Sequence, residues 1–219
     1  FLAYEDVEGI DIKFRSKVVI IGNIIREEIF NFKNEKKFLK EELNILILGG
    51  SQAAQSFGKF LPEIFKKCVD AKIKIKIIQQ CIKSQNYELD KYYKNLKINY
   101  ELFNFTDNIF KYFSKVELAI TRSGSSVTAE LINCKIPFIS IPYPYSADFH
   151  QDKNAAYFEK KGYSFLIKEN EVHKKLFSLI KLIYEDKKIL NQLIEKQKKH
   201  SDSEVFMKIN TEVEKLINL

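Results

Sequence analysis

The sequence has few of the residues that disulfide-rich, zinc-binding and membrane-spanning proteins need. It contains 3 cysteines, 7 glycines, 4 prolines and no tryptophan in 219 residues. The cysteines are scattered without CxxC spacing or a neighbouring histidine, which is typical of reduced thiols in a cytoplasmic protein. The 3 histidines lie too far apart in sequence to indicate a zinc site, and no apolar run approaches the ~18 residues of a membrane span. We therefore predict no protein-bound metal and no transmembrane segment.

The chain carries a formal net charge of +7, from 36 basic and 29 acidic residues. Most basic residues are lysines that are interleaved with Asp and Glu through helical segments, as on an ordinary solvated surface. The sequence lacks the interleaved aromatic and basic motifs of RNA-binding proteins. We therefore expect no nucleic-acid partner, and the 45% hydrophobic content is sufficient for a substantial core.

Apolar segments alternate with segments of helical periodicity along the chain. Most of the apolar segments are continuous, which is typical of parallel strands covered on both faces. The sequence therefore predicts an α/β fold with a doubly wound, mostly parallel, Rossmann-like sheet and extra helices at the carboxyl end. The predicted strands lie in segments 17–23, 43–52, 73–78, 97–103, 116–120, 137–142 and 163–167. The predicted helices lie in segments 53–68, 87–96, 106–115, 125–133, 149–161, 172–184, 187–200 and 205–219.

Ligands of doubly wound sheets bind at the carboxyl ends of the strands, so the turns that follow the strands are candidate sites. The first such turn is Gly49-Gly50-Ser51-Gln52. Its glycines allow an anion to approach the backbone closely, and the amides at a helix start can bind that anion. The turn lacks the GxGxxG and GK[ST] patterns of dinucleotide and P-loop sites, so a tight turn without a ligand is an equal alternative.

The second turn places a glycine among hydroxyl residues, in Arg122-Ser123-Gly124-Ser125-Ser126. Glycine and hydroxyls at a helix start favour an anion or a sugar phosphate. Glu130 follows within the same predicted helix, where a carboxylate can accept hydrogen bonds from both hydroxyls of a ribose. A solvated surface glutamate is the alternative for Glu130.

Two further turns carry polar side chains after predicted strands. The stretch from Gly22 to Arg26 ends in an arginine that can reach a phosphate. The loop from Pro142 to Ala155 is extended by its prolines and leads into a helix. Its neutral hydrogen-bonding groups suit sugar hydroxyls, although a histidine at a helix start without any ligand is an equal alternative. The polar residues of this loop are Asp148, His150, Gln151 and Asn154.

In this order and spacing, the turns resemble the carboxyl-terminal, nucleotide-sugar-binding domain of the MurG family of GT-B glycosyltransferases. The resemblance covers about residues 17–200. One turn of this kind is a weak signal, whereas five collinear matches are a strong one. The family's GNPVR, GGSQGA, F-I-D-D, RSGA…T.sE and HQ…NA stretches correspond to residues 22–26, 49–54, 105–108, 122–130 and 148–155.

The resemblance implies a role for each matched residue. The diphosphate would be held by Arg26 and Ser51, with Gln52, Ser123, Gly124 and Ser125 in the adjoining turns and the helix start directed at the phosphates. The uracil would face Phe105 and Thr106, and the ribose would bind Glu130. The N-acetylglucosamine would bind Gln151 and His150, with Asn154 close by. No cofactor and no metal are implied.

The resemblance also implies an activity, which is transfer of N-acetylglucosamine from UDP-N-acetylglucosamine (UDP-GlcNAc) to lipid I, giving lipid II in peptidoglycan synthesis. Lipid I is undecaprenyl-diphospho-MurNAc-pentapeptide. An enzyme of this kind would be cytoplasmic and peripheral on the cytoplasmic face of the inner membrane. In the family, the glycine-rich turn with the candidate catalytic histidine and the acceptor site belong to an amino-terminal domain. No catalytic residue is therefore assigned in this chain.

Three segments follow from this comparison. We expect residues 1–22 to be the end of an amino-terminal acceptor domain with the interdomain link, 23–200 to be the UDP-GlcNAc-binding domain, and 201–219 to be a carboxyl-terminal helix. We also expect this last helix to cross toward the partner domain. The chain departs from the family pattern at Ile24 in place of proline, at Ala53 in place of glycine and at Thr106 in place of an aliphatic residue.

Two alternatives to the transferase remain open at this point. One is a stand-alone UDP-sugar-binding module without turnover. The other is a different GT-B UDP-sugar glycosyltransferase or an epimerase with the same donor turns, which the HQ…NA loop disfavours.

Overall fold

A computed structural model describes residues 1–5, 7, 9–32, 41–50 and 54–217. The described residues form a six-stranded sheet in which every neighbouring pair of strands is parallel, in the order β3-β2-β1-β4-β5-β6. This arrangement confirms the doubly wound α/β fold. The strands are β1 (Leu43–Leu48), β2 (Ile75–Gln80), β3 (Asn99–Phe103), β4 (Leu118–Thr121), β5 (Phe138–Ser140) and β6 (Ser164–Leu166).

Helices follow the strands and then continue beyond the sheet. The described α-helices are α1 (Ala54–Asp70), α2 (Asn86–Leu96), α3 (Phe110–Phe113), α4 (Ser125–Asn133), α5 (His150–Lys161), α6 (Val172–Glu185), α7 (Lys188–Gln197) and α8 (Val205–Ile217). The last three are the extra carboxyl-terminal helices that the sequence predicts. None of the helices in the described ranges combines the length and apolar character that crossing a membrane requires.

The core lies on both faces of the sheet because the central strand is buried on both faces. All six residues of β1 are buried, and alternate residues of a strand point to opposite faces. Leu43, Ile45 and Ile47 belong to the cluster that includes side chains of α1 and α6. Leu46 and Leu48 belong to a second cluster, with side chains of α3, α4 and α5. This two-sided burial explains why β1 has a continuous apolar sequence.

The strand predicted at 17–23 is wrong. In the described part of the chain, this segment makes a single isolated bridge, between Ile20 and Leu2, and joins no sheet. Ile21 is buried while Ile20 is 37% exposed, so the apolar residues cover part of the molecule without pairing as a strand. A short apolar run does not by itself distinguish a strand from buried extended chain.

Gly22 consequently does not end a strand, contrary to the prediction. Its φ of +96° lies in the left-handed region, and a Cβ there would lie 2.4 Å from the Asp202 carboxylate. The glycine is required by this close approach, since the neighbouring amide of Asn23 donates to Asp202 at 3.0 Å.

Candidate functional site

A cavity of about 420 Å³ lies at the carboxyl ends of β1 to β4. Strand β1 runs between β2 and β4, so the connections leave it in opposite directions and the cavity lies at the topological switch point of the sheet. Crevices of doubly wound sheets bind their ligands at this position. The described lining residues are Arg26, Leu48, Gly49, Gly50, Gln80, Phe103, Phe105, Thr106, Ile109, Arg122, Gly124, Val127, Glu130, Tyr143 and Gln151.

The glycine turn after β1 forms one wall of the cavity. Gly50 has a φ of +68°, which favours glycine. Its amide donates to Oε1 of Gln80 at 3.2 Å, which connects the ends of β1 and β2. The predicted ligands Ser51 and Gln52 lie outside the described residues, and so does Ala53, so their roles stay predictions.

Helix α4 begins after β4, the strand that pairs with β1, and Gly124 is its N-cap residue. Gly124 has an ordinary φ of −67°, and a Cβ there would meet no described atom within 4 Å. Neither the backbone conformation nor the packing of the described residues therefore requires glycine at this position. In the described part of the chain, no side chain caps the helix start, so its first amides remain available to an anion.

Arg26 and Glu130 form an ion pair inside the cavity, although 104 positions separate them in sequence. The Nε of Arg26 donates to Oε1 of Glu130 at 2.9 Å, and its second terminal nitrogen lies 2.8 Å from the same oxygen. The Glu130 side chain is only 13% exposed, so it is not a solvated surface residue. Burial raises the pKa of the Glu130 carboxyl above its usual value, and Arg26 opposes this rise.

The turn after β3 holds the other side of Arg26. A terminal nitrogen of Arg26 donates to the Asp107 carbonyl at 3.3 Å, and its guanidinium lies 5.1 Å from the centre of the Phe110 ring. Phe105 is 77% exposed at the cavity. The hydroxyl of Thr106 accepts from the amide of Asn108 at 3.1 Å, so this side chain stabilises its own turn.

The loop before α5 brings one of its predicted ligands to the cavity. Gln151 lines the cavity, and its Oε1 accepts from the amide of Tyr143 at 3.0 Å. Asn154 donates to the carbonyl of Ser123 at 3.0 Å, which joins α5 to the turn before α4. His150 is exposed and borders a separate cavity beside Tyr4, with its Nδ1 2.8 Å from the Ala147 carbonyl.

The structure thus brings together six of the predicted site residues, which are Arg26, Phe105, Thr106, Gly124, Glu130 and Gln151. Four others are not among the lining residues. Ser123 is fully buried, and Ser125 is exposed at the start of α4. Asn154 is hydrogen-bonded to the Ser123 carbonyl, and His150 borders the separate cavity beside Tyr4.

Sequence reasoning assigned no role to three polar residues that line the cavity, Gln80, Arg122 and Tyr143. Gln80 ends β2, and its place at a strand end was the available signal. Arg122 belongs to a matched turn, but its partners are distant in sequence.

Among the described residues, no group of three His, Cys, Asp or Glu side chains is arranged to hold a metal ion. The absence of a metal requirement stays a prediction.

Comparisons with known proteins match most of the chain. The glycosyltransferase family 28 C-terminal domain matches residues 44–209. The chain is 34% identical over 186 residues to the "UDP-N-acetylglucosamine--N-acetylmuramyl-(pentapeptide) pyrophosphoryl-undecaprenol N-acetylglucosamine transferase" of Pelagibacter ubique, covering 84% of this chain and 51% of that protein. It is 30% identical over 189 residues to the protein of the same name from Rickettsia bellii, covering 82% and 53%.

The fold is similar to that of a solved structure, MurG of Acinetobacter baumannii. The TM-score is 0.74 at 21% identity, over 85% of this chain and 55% of that one. The chain spans about half the length of the curated relatives it matches.

Proposed function

Because the chain belongs to the family of glycosyltransferase family 28 C-terminal domains, we propose that it is the donor-binding half of an N-acetylglucosaminyltransferase. The donor is UDP-GlcNAc, the acceptor is lipid I, and the product is lipid II. The observation that carries this proposal is the cavity at the switch point, where Arg26, Glu130 and the uncapped start of α4 meet. A cation, a carboxylate and helix amides together suit a nucleoside diphosphate.

Arg26 and Glu130 divide the recognition of the nucleotide between them. Glu130 accepts hydrogen bonds from the ribose hydroxyls, and Arg26 contacts the diphosphate. Since the two side chains are paired with each other in the described structure, nucleotide binding replaces part of this ion pair with contacts to the ligand. The exchange keeps hydrogen-bond partners for the Glu130 carboxylate, whose side chain is only 13% exposed, while Arg26 is 41% exposed and also has water as a partner.

The other lining residues contact the ends of the donor. The uracil lies against the turn of Phe105 and Thr106, where backbone groups read the base while the Thr106 hydroxyl accepts a hydrogen bond within the turn. Gln151 binds the sugar hydroxyls. Ser51, Gln52, Ser123, Ser125, His150 and Asn154 complete the proposed set of binding residues.

We also propose the division into domains that the resemblance implies, and the greater length of the relatives supports the existence of a further half. Residues 1–22 end an acceptor domain and link it to the donor domain of residues 23–200, and residues 201–219 form the terminal helix. The acceptor site, the catalytic residue and peripheral contact with the cytoplasmic face of the inner membrane belong to the other half. The transferase name of the relatives supports this function over an epimerase.

Titration calorimetry with four nucleotides tests the proposal. We expect the chain to bind UDP and UDP-GlcNAc and to bind ADP and NAD at least about tenfold more weakly, since the uracil turn discriminates between bases. Binding of NAD as tight as that of UDP would contradict the proposal.

A variant of Glu130 tests the placement of the nucleotide. Hydrogen bonds to a charged group contribute roughly 1.5–3 kcal/mol, so Glu130→Ala should weaken UDP binding about ten- to a hundredfold. Glu195→Ala is the matched control, because Glu195 is also a helical carboxylate in an ion pair, with Lys198, but lies on α7 outside the cavity. If a folded Glu130→Ala protein binds UDP as the control does, the site assignment fails.

A further inference from the structure

Arg122 is the most enclosed cation at the cavity, with only 4% of the residue exposed. Its guanidinium contacts the faces of two aromatic rings, 4.5 Å from the centre of Phe57 and 5.4 Å from the centre of Tyr143. Burial lowers the pKa of this guanidinium, and Glu169 opposes that effect. Burying a guanidinium is unfavourable unless hydrogen bonds and an opposite charge compensate. Arg122 therefore needs partners that supply both.

The two terminal nitrogens of Arg122 each hold two partners. One donates to the carbonyls of Ile141 and Pro142, both at 3.1 Å. The other donates to the hydroxyl of Ser56 on α1 and to the carboxylate of Glu169. Arg122 therefore joins the end of β4 to three other segments, which are the start of the loop before α5, helix α1 and the turn before α6.

This arrangement continues to the proposed sugar-binding side chain. Arg122 holds the carbonyls on the amino-terminal side of Tyr143 and stacks against the Tyr143 ring. The amide of Tyr143 in turn donates to Oε1 of Gln151. Gln151 is thus oriented by the loop that Arg122 fixes, with its side-chain nitrogen left to donate elsewhere.

We propose that Arg122 and Glu169 are positioning residues that hold the loop before α5 so that Gln151 contacts the sugar of a UDP-sugar donor. This inference rests on the proposed function. Glu169 acts through Arg122, because its carboxylate lies on the turn between β6 and α6 and does not line the cavity. Arg122 and Glu169 determine how much more tightly UDP-GlcNAc binds than UDP. The affinity for UDP itself depends on Arg26, Glu130 and the start of α4.

Direct contact of Arg122 with the diphosphate is the competing interpretation, because Arg122 also lines the cavity. Its terminal nitrogens are already bonded to four protein oxygens, and a diphosphate ligand would have to displace them. The two interpretations differ in measurement. A diphosphate contact affects UDP and UDP-GlcNAc equally, whereas a positioning role affects only UDP-GlcNAc.

Glu169→Gln is the test, measured as the ratio of the dissociation constants of UDP and UDP-GlcNAc by calorimetry on the whole chain. The variant keeps the shape of the side chain and removes its charge. Because misplaced binding groups lose much of their effect, we expect the preference for UDP-GlcNAc to fall about three- to tenfold while UDP binding changes less than about twofold. Glu171→Gln is the matched control on the same turn, since Glu171 pairs with Lys175 and should leave the ratio unchanged.

Arg122→Lys is a second variant, because lysine keeps the charge but lacks the planar fork that reaches four acceptors. It should reduce the same ratio. If both variants lower the thermal midpoint but leave the ratio of the UDP and UDP-GlcNAc dissociation constants unchanged, Arg122 and Glu169 only stabilise the fold. That result would overturn the inference. An equal loss for UDP and UDP-GlcNAc would also overturn it, as would equal affinity of the unsubstituted chain for both nucleotides. Failure of the unsubstituted chain to bind UDP would instead refute the proposed function itself.

Discussion

At the scale of single residues, Glu130 combines two opposing influences. Burial raises the pKa of its carboxyl, and Arg26 lowers it again without fully compensating. Because Glu130 binds its proton more tightly in the folded than in the unfolded chain, its contribution to stability is fully present below the unfolded pKa. That contribution is lost as the pH rises through the folded pKa.

The resulting prediction compares the unsubstituted chain with Glu130→Gln, which cannot titrate. As the pH is lowered from 8 to the usual glutamate pKa of 4.5, the free energy of unfolding of the unsubstituted chain should rise relative to that of Glu130→Gln. Arg26→Ala should move this change to higher pH, because Arg26 is the group that lowers the pKa of Glu130. Urea unfolding at a series of pH values measures both effects. A constant difference between the two proteins across that range would contradict the raised pKa.

At the scale of elements, the buried carboxylate of Asp202 connects three separate segments. Oδ1 accepts from the amide of Asn23, and Oδ2 accepts from the side-chain amide of Asn133 at 2.7 Å and lies 3.0 Å from Nε2 of His200. Burial alone would raise the pKa of Asp202, but the contacts with His200, Asn133 and Asn23 together lower it. Asp202 thereby ties the end of α4 and the turn after α7 to the segment around Gly22.

We therefore expect Asp202→Ala to cost roughly 2–4 kcal/mol of unfolding free energy, because it leaves buried donors without an acceptor. Urea unfolding measures this loss. Asp70→Ala is the control, since Asp70 is exposed and its surface pair with Lys66 is screened by water and should contribute little to stability. Equal midpoints for the two variants would show that the three segments do not depend on Asp202.

The element boundaries show what local sequence determines. Helix α4 spans the predicted 125–133, because serines and glycine mark its start. Helix α5 ends at position 161, the end of the predicted segment, and the following Gly162 has a φ of +72° that is typical of a C-cap glycine. The wrong prediction of a strand at 17–23 used the same signal as the correct strand predictions, which is a short apolar segment. Apolar content alone does not reveal whether a neighbouring strand is present to pair with.

The site was predictable only where a motif carried it. The glycines at strand ends and the Glu130 carboxylate in the following helix were predicted from the motifs. The partners of Arg122 are Ser56 and Glu169, 66 and 47 positions away, and only the fold brings them together. The sequence also predicted both His150 and Gln151 as sugar ligands, whereas Gln151 lines the cavity and His150 borders another one. Adjacent helical residues point about 100° apart, so one faces the cavity when the other faces away. Asp148 and Phe149 have positive φ before the helix, which no local signal indicated.

At the scale of the whole molecule, α8 presents an apolar stripe to solvent. Val205 is the helix's buried residue in the described range, while Phe206, Val213 and Leu216 are exposed at helical spacing. Such a stripe is typical of a helix that packs against another part of a protein. The match covers only 51% and 53% of the two curated relatives. We therefore keep the proposal that α8 contacts the amino-terminal half.

This proposal predicts that the apolar residues of α8 contribute almost nothing to the stability of this chain alone. Phe206→Ser combined with Leu216→Ser should change the free energy of unfolding far less than a core substitution does, because Phe206 is 52% and Leu216 is 70% exposed in the folded state. Leu176→Ser on α6 is the matched control, and it should cost about 3 kcal/mol or more because Leu176 is fully buried. A comparable loss for the α8 variant would show that α8 packs on this domain. In a protein that also carries the amino-terminal half, the same two substitutions should become destabilising, since the stripe would then be covered.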